Sequence, residues 1–176
     1  MILTSITLTS CKSDNFYETK RYFKTDKNEY EVGDKIILTV MIRPIKEAKT
    51  IRLYDNYSNI GISFVLMNSE MKMHNDRWTE WTGRNLPKNK IQEITITHEK
   101  PFLKQYEIII REEMDSIFLT IPEFNYNVSF AKNDVLHPDT RVRIHGFCNP
   151  INPEFGASLE EYFEVKDIKI KYKNSP

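Results

Sequence analysis

The chain has 176 residues and a formal net charge of zero, with 25 basic and 25 acidic residues. This length suits a single domain with a sizeable core, and zero net charge excludes a whole-molecule field that would attract nucleic acid or an anionic membrane. Ile, Tyr, Phe and Thr are frequent, which favours strands over helices. No repeat or low-complexity segment interrupts the sequence.

The first stretch of interest is the approach to Cys11. Residues 1–10 read MILTSITLTS without a charge, and a polar run follows at 12–15. Leu8-Thr9-Ser10-Cys11 resembles the lipobox of bacterial lipoproteins. The resemblance implies that Cys11 is lipidated, that 1–15 is signal and tether, and that one domain, 16–176, is held at a membrane of the cell envelope. The alternative is an ordinary first strand with a buried Cys11, and a Cys11–Cys148 disulfide then becomes possible.

Period-two alternation of apolar residues predicts about nine or ten short strands. The clearest runs over 30–43, where the turn residues Gly33 and Asp34 precede four apolar residues on one face: Ile36, Leu38, Val40 and Ile42. The other predicted strands lie at 16–25, 50–54, 60–67, 91–98, 102–111, 117–121, 126–130, 140–144 and 163–173, with a bulge in the last near Lys166 and Asp167.

Two segments lack sustained alternation, 68–90 and 145–161. Long irregular segments in compact domains are often functional. Within the second, Ser158-Leu159-Glu160-Glu161 matches a capping box and predicts one or two helical turns.

The entry to the 30–43 strand carries a recognisable spacing, Y-x-x-G-D-x-I-x-L-x-V. It is present as Tyr30, Gly33, Asp34, Ile36, Leu38 and Val40 and resembles the second-strand entry of many bacterial immunoglobulin-like modules. The resemblance implies an all-β, immunoglobulin-like antiparallel β-sandwich, here with two long loop insertions and at most one short helix. Such a motif marks a fold rather than an activity.

Residues able to do chemistry are scattered. The histidines at 74, 98, 137 and 145 form no zinc-ligand spacing, and His137-Pro138-Asp139 has the composition of a turn. His145 and Cys148 are three positions apart and could meet, yet no orienting group or oxyanion hole is evident nearby. The acidic run at 111–115 is typical of a solvated hairpin tip. We therefore predict no catalytic residue, metal or cofactor.

Aromatic residues in the two irregular segments are the best candidates for function. The predicted partner-binding residues are Trp78, Trp81, Arg84, Phe147 and Phe155, because aromatic residues and arginine dominate protein–protein hot spots. The alternative is that one or both tryptophans fold back over the open end of the sandwich. Stacking on nucleic acid has no basic patch to support it.

The sequence thus favours a lipid-anchored, extracytoplasmic module that binds a protein partner. Within this class the alternatives are an inhibitor or immunity-type protein that blocks an enzyme and a subunit of a surface assembly. A second hypothesis is carbohydrate binding through Trp78 and Trp81. A third is a small envelope hydrolase that uses His145, Cys148 or the acidic residues.

Overall fold

The chain is described here by a computed structural model over residues 19–70, 72, 79–82, 87, 90–148 and 161–172. Most of these residues lie in twelve strands: β1 (Thr19–Thr25), β2 (Glu29–Glu31), β3 (Lys35–Pro44), β4 (Lys49–Tyr54), β5 (Ile60–Met67), β6 (Ile91–Ile96), β7 (Phe102–Glu113), β8 (Ser116–Ile121), β9 (Tyr126–Ala131), β10 (Arg141–Cys148), β11 (Glu161–Tyr162) and β12 (Lys166–Lys171). Helical structure in these ranges is limited to a 3-10 turn at Pro122–Phe124 and one short helix, α1 (Lys132–Val135).

The strands form two packed sheets and a separate ribbon. The first sheet has the order β1-β3-β7-β8-β9 and is antiparallel throughout. In the second sheet β10 pairs with β5 along its whole length, and its other side pairs with β12 and, at its end, β11. β12 then pairs in parallel with β2, and β4 pairs with β6 in the ribbon. The predicted all-β sandwich is confirmed.

The predicted two-faced strand is β3. Gly33 has φ +97°, a conformation that favours glycine, and the turn it makes leads directly into the strand. The side chains of Ile36, Leu38, Val40 and Ile42 are fully buried, whereas Ile37, Thr39 and Met41 lie on the outer face and are partly exposed. The alternation in the sequence therefore predicted correctly which face of this strand is buried.

The core lies between the two sheets and includes a pair of stacked aromatic rings. Phe23 and Phe163 are 4.9 Å apart between ring centroids, with 12° between their planes. Phe23 also occupies the space beside Gly146, where a Cβ would be 2.2 Å from the ring. The largest fully buried side chains are Tyr30, Tyr106, Phe64, Ile36, Leu38, Ile42, Leu53, Ile60, Ile62, Ile96, Ile108 and Ile110.

Part of the second irregular segment is regular, so its predicted start at residue 145 is wrong. β10 continues through Cys148, fully paired with β5. Gly146 falls in the segment that lacks alternation, but its missing side chain makes room for the Phe23 ring inside the core. A strand with glycine at such a close approach is a known exception to the loop interpretation.

Two further sequence predictions are corrected near the end of the chain. Glu161 lies in β11 rather than in a helical turn, and the rest of the predicted capping box lies outside the described residues. The bulge near Lys166 is also wrong, because two strands are present. Between them Phe163 N donates to Gly146 O and Glu164 N donates to Arg21 O, so the chain crosses from β10 to β1 at this point.

Candidate functional site

Two of the predicted partner-binding residues, Trp81 and Phe147, are in contact. Their ring centroids are 4.7 Å apart and their planes meet at 83°, an edge-to-face arrangement. Both side chains are partly buried. Residues 66 positions apart in the sequence therefore form one aromatic surface.

Trp81 reaches this place because residues 79–82 run along the free edge of β5. Thr82 Oγ1 accepts a hydrogen bond from Ile62 N at 2.7 Å, and Thr79 Oγ1 accepts one from Phe64 N at 2.8 Å. Thr82 N in turn donates to Ile62 O at 3.0 Å. These bonds satisfy backbone groups that an edge strand would otherwise leave open. The segment is thereby fixed, and its tryptophan lies beside β10.

Phe147 is held on the outer face of the second sheet by its neighbours across the strands. Its ring lies directly over Gly61 of β5, where a Cβ would be 2.1 Å from the ring. On the other side, Phe147 is paired with Tyr162 of β11, and directly paired residues share a face. Tyr162 is 60% exposed. We call Trp81, Phe147 and Tyr162 the aromatic strip.

The groups beside the aromatic strip carry little uncompensated charge. On the same face of β10, Arg143 forms a bidentate ion pair with Asp167, with both N–O distances 2.7 Å. The hydrogen bonds that Arg143 donates to Asp167 raise the pKa of the guanidinium. His145 lies between Arg143 and Phe147; burial, together with the nearby Arg143, lowers its pKa. Burial therefore favours the neutral form of the imidazole, and the strip adjoins this side chain and a compensated pair.

His145 and Cys148 do not form a catalytic pair. They belong to opposite faces of β10, because side chains alternate along a strand: His145 is on the outer face and Cys148 is in the core. Cys148 is a free thiol, and burial raises its pKa to about 12. A neutral, buried thiol is a poor nucleophile.

The other described candidates, His98, His137 and the 111–115 run, make contacts within turns and between strands. His137 Nδ1 accepts from Asp139 N, which is turn chemistry, and His98 lies between Arg43 Nε and Lys46 O. The 111–115 run is the β7–β8 hairpin tip, as predicted. Across the described ranges, no three His, Cys, Asp or Glu side chains are grouped so as to hold a metal ion.

Sequence reasoning located part of the strip. Trp81 and Phe147 were named, whereas Tyr162 was missed because it was assigned to the neighbourhood of a helical turn. The available signal was the dipeptide Glu161-Tyr162, which comes directly before the predicted closing strand and forms β11. Trp78, Arg84, Phe155, His74 and Cys11 lie outside the described residues.

Comparison with known proteins identifies no family for the chain. No family model matches the chain, and no curated protein matches it. Among solved structures, it is similar to Spo0M, the sporulation control protein of Bacillus subtilis, with 10% identity and a TM-score of 0.45. The match covers 89% of this chain and 50% of that one, so this chain spans half the length of Spo0M in that structure.

Proposed function

We propose that the protein is a binding module that recognises a protein partner through the aromatic strip, without catalysis of its own. The observation that carries the proposal is the contact of Trp81 with Phe147 on a sheet face fixed by full β5–β10 pairing. A rigid sheet that presents partly exposed aromatic side chains with a polar border has the anatomy of a protein interface. Within this class, an inhibitor or immunity protein would use such a preorganised surface to block an enzyme.

The ring geometry favours a protein over a carbohydrate. Sugars stack on aromatic faces, and a flat saccharide surface calls for rings that lie in one plane. Here the planes of Trp81 and Phe147 meet at 83°, so the pair presents one face and one edge. Side chains of a protein partner can pack into the angle between two such rings.

The proposal predicts a partner whose capture depends on the strip. The wild-type chain should recover a stoichiometric protein from native envelope extracts, and Trp81→Ala or Phe147→Ala should weaken its affinity by on the order of 30-fold, as for a central aromatic residue. Gly61→Ala should also weaken binding, because the new methyl group occupies the place of the Phe147 ring. Affinities for the isolated partner would be measured by calorimetry.

Phe118→Ala is the matched control. Phe118 is a partly buried phenylalanine on the outer face of the first sheet, and its loss should leave affinity unchanged. Strip variants that bind with wild-type affinity and only unfold at lower temperature would contradict the proposal. Quenching of tryptophan fluorescence by glycans, with no protein captured, would favour the carbohydrate hypothesis instead.

We also propose that the module is lipid-anchored at Cys11, on the outer side of a cytoplasmic membrane or at another envelope membrane. The support is the lipobox-like Leu8-Thr9-Ser10-Cys11 sequence. Mass spectrometry of the protein from its native host should show a mature N-terminus at an acylated Cys11. An unmodified Cys11, or a chain that retains Met1, would refute the anchor.

A further inference from the structure

A second surface lies on the outer face of the first sheet, on the other side of the sandwich from the aromatic strip. Register places Lys20 beside Arg43, Tyr22 beside Met41, and Met41 beside Leu103. These side chains share one face because directly paired residues do. Leu103 is 53% exposed. We call this surface the basic–apolar patch: Lys20, Tyr22, Lys24, Met41, Arg43 and Leu103.

Among the described residues, no carboxylate forms an ion pair with a cation of the basic–apolar patch. Within the part of the chain that the structure describes, Lys20, Lys24 and Arg43 have no carboxylate within ion-pair distance; Arg43 Nε donates to the ring of His98. Elsewhere on the same face the cations are paired, as in Lys35 with Glu107 at 2.9 Å and Arg111 with Glu113 at 3.1 Å. Zero net charge for the whole chain therefore conceals a local positive region.

Cations that surround an apolar centre are the pattern of an interfacial surface. Lysine and arginine keep their charged ends at lipid phosphates while their stems and the neighbouring apolar side chains lie deeper. The patch has this arrangement, with Tyr22, Met41 and Leu103 in a row across three strands and cations on both sides of the row.

The short distance in sequence between Cys11 and β1 also indicates a lipid bilayer as the binding partner of the patch. β1 begins at Thr19, eight positions after Cys11. An extended segment of that length spans less than about 30 Å, so a lipid on Cys11 keeps β1 close to the bilayer. In this respect the inference rests on the proposed anchor.

We infer that the basic–apolar patch lies on the surface of an anionic lipid bilayer, through contacts of Lys20, Lys24 and Arg43 with headgroup phosphates. The aromatic strip, on the opposite sheet, then faces away from the membrane and is open to its partner.

The test uses the full chain with Cys11→Ser, so that no acyl chain contributes. It should co-sediment with vesicles of phosphatidylglycerol and phosphatidylcholine, bind pure phosphatidylcholine much more weakly, and be released by high salt. Each cation removed should lower the partition coefficient by about fivefold, so Lys20→Gln with Lys24→Gln should lower it by roughly 25-fold. Leu103→Asn should also weaken binding, by loss of the apolar contact.

The matched control removes two other exposed lysines, Lys90→Gln with Lys171→Gln, and should bind as well as the parent. Equal loss in this control, or equal binding to both vesicle types, would overturn the inference. The inference would also be overturned if the patch bound an acidic protein while the chain did not bind the vesicles. These outcomes are independent of the strip and of acylation, because partner affinity and the mature N-terminus are measured separately.

Discussion

Tyr30 has its ring in the core and its hydroxyl in the turn before β2. The side chain is 1% exposed, and its hydroxyl donates to Asp26 Oδ1 at 2.7 Å while it accepts from Lys27 N at 2.9 Å. Asp26 Oδ1 also accepts from Ile37 N at 2.9 Å. One phenol therefore ties the turn to the start of β3.

These contacts predict a loss of stability in alkali. Burial, with the hydrogen bond to Asp26, raises the pKa of Tyr30 to about 12 from 10.0. Because the folded-state pKa is the higher one, the stabilisation is complete below pH 10 and is lost as pH rises towards 12. The free energy of unfolding of Tyr30→Phe should be lower than that of the wild type at pH 7, by about 1 kcal/mol. Between pH 10 and 12 it should fall less steeply with pH than that of the wild type.

Chemical denaturation at each pH would measure the effect. Tyr22→Phe is the control, because Tyr22 is partly exposed and its hydroxyl has no hydrogen-bond partner among the described residues; its stability curve should run parallel to that of the wild type. The other buried tyrosines, Tyr106 and Tyr126, are present in every variant and cancel in the comparison. Parallel curves for Tyr30→Phe and wild type would show that the phenol does not stay protonated in the fold.

Among the elements, the segment 79–82 decides where the aromatic strip lies. The segment is not itself a strand. It is held at the β5 edge by the hydroxyls of Thr79 and Thr82, together with the backbone bond from Thr82 N to Ile62 O. Thr82 is buried, so a lost hydroxyl cannot be replaced there by bulk water. A short polar segment is in this way held as firmly as a strand.

Thr82→Val tests this arrangement with almost no change of volume. The amide of Ile62 would lose its acceptor inside the protein, and we expect a loss of about 1–3 kcal/mol in unfolding free energy. Partner affinity should fall as well, because Trp81 is no longer fixed. Thr120→Val is the control: its hydroxyl bonds Asn127 at an exposed position, where water can substitute. Equal small losses in both variants would argue against the edge role of Thr82.

For the whole molecule, local patterns predicted the strands better than their arrangement. β3, β7 and β8 could be located from alternation, because one face of each is buried in apolar neighbours. β5 could be located from its apolar residues, although both of its faces are buried. The parallel pairing of β2 with β12 joins positions such as Glu29 and Lys169, which lie far apart in the sequence. Partners so distant leave no mark in a local pattern.

The candidate site was predictable in part for the same reason. Trp81 and Phe147 stood out as aromatic residues in segments without periodicity, and that composition was enough to name them. Their contact depends on the β5–β10 register and on the Gly61 opening, neither of which composition reveals. Tyr162 depends on a two-residue strand that only tertiary pairing defines.

The threonine-covered edge of β5 has a consequence for self-association. An open edge is a template on which a second copy can add a strand, and β5 is a largely apolar strand that is buried on both faces. Because the Ile62 and Phe64 amides already donate to Thr82 and Thr79, they are not available to pair with a strand of another copy. A chain concentrated in two dimensions by a lipid anchor would meet its own copies often, so residues 79–82 would keep neighbouring molecules separate as well as hold the tryptophan in place.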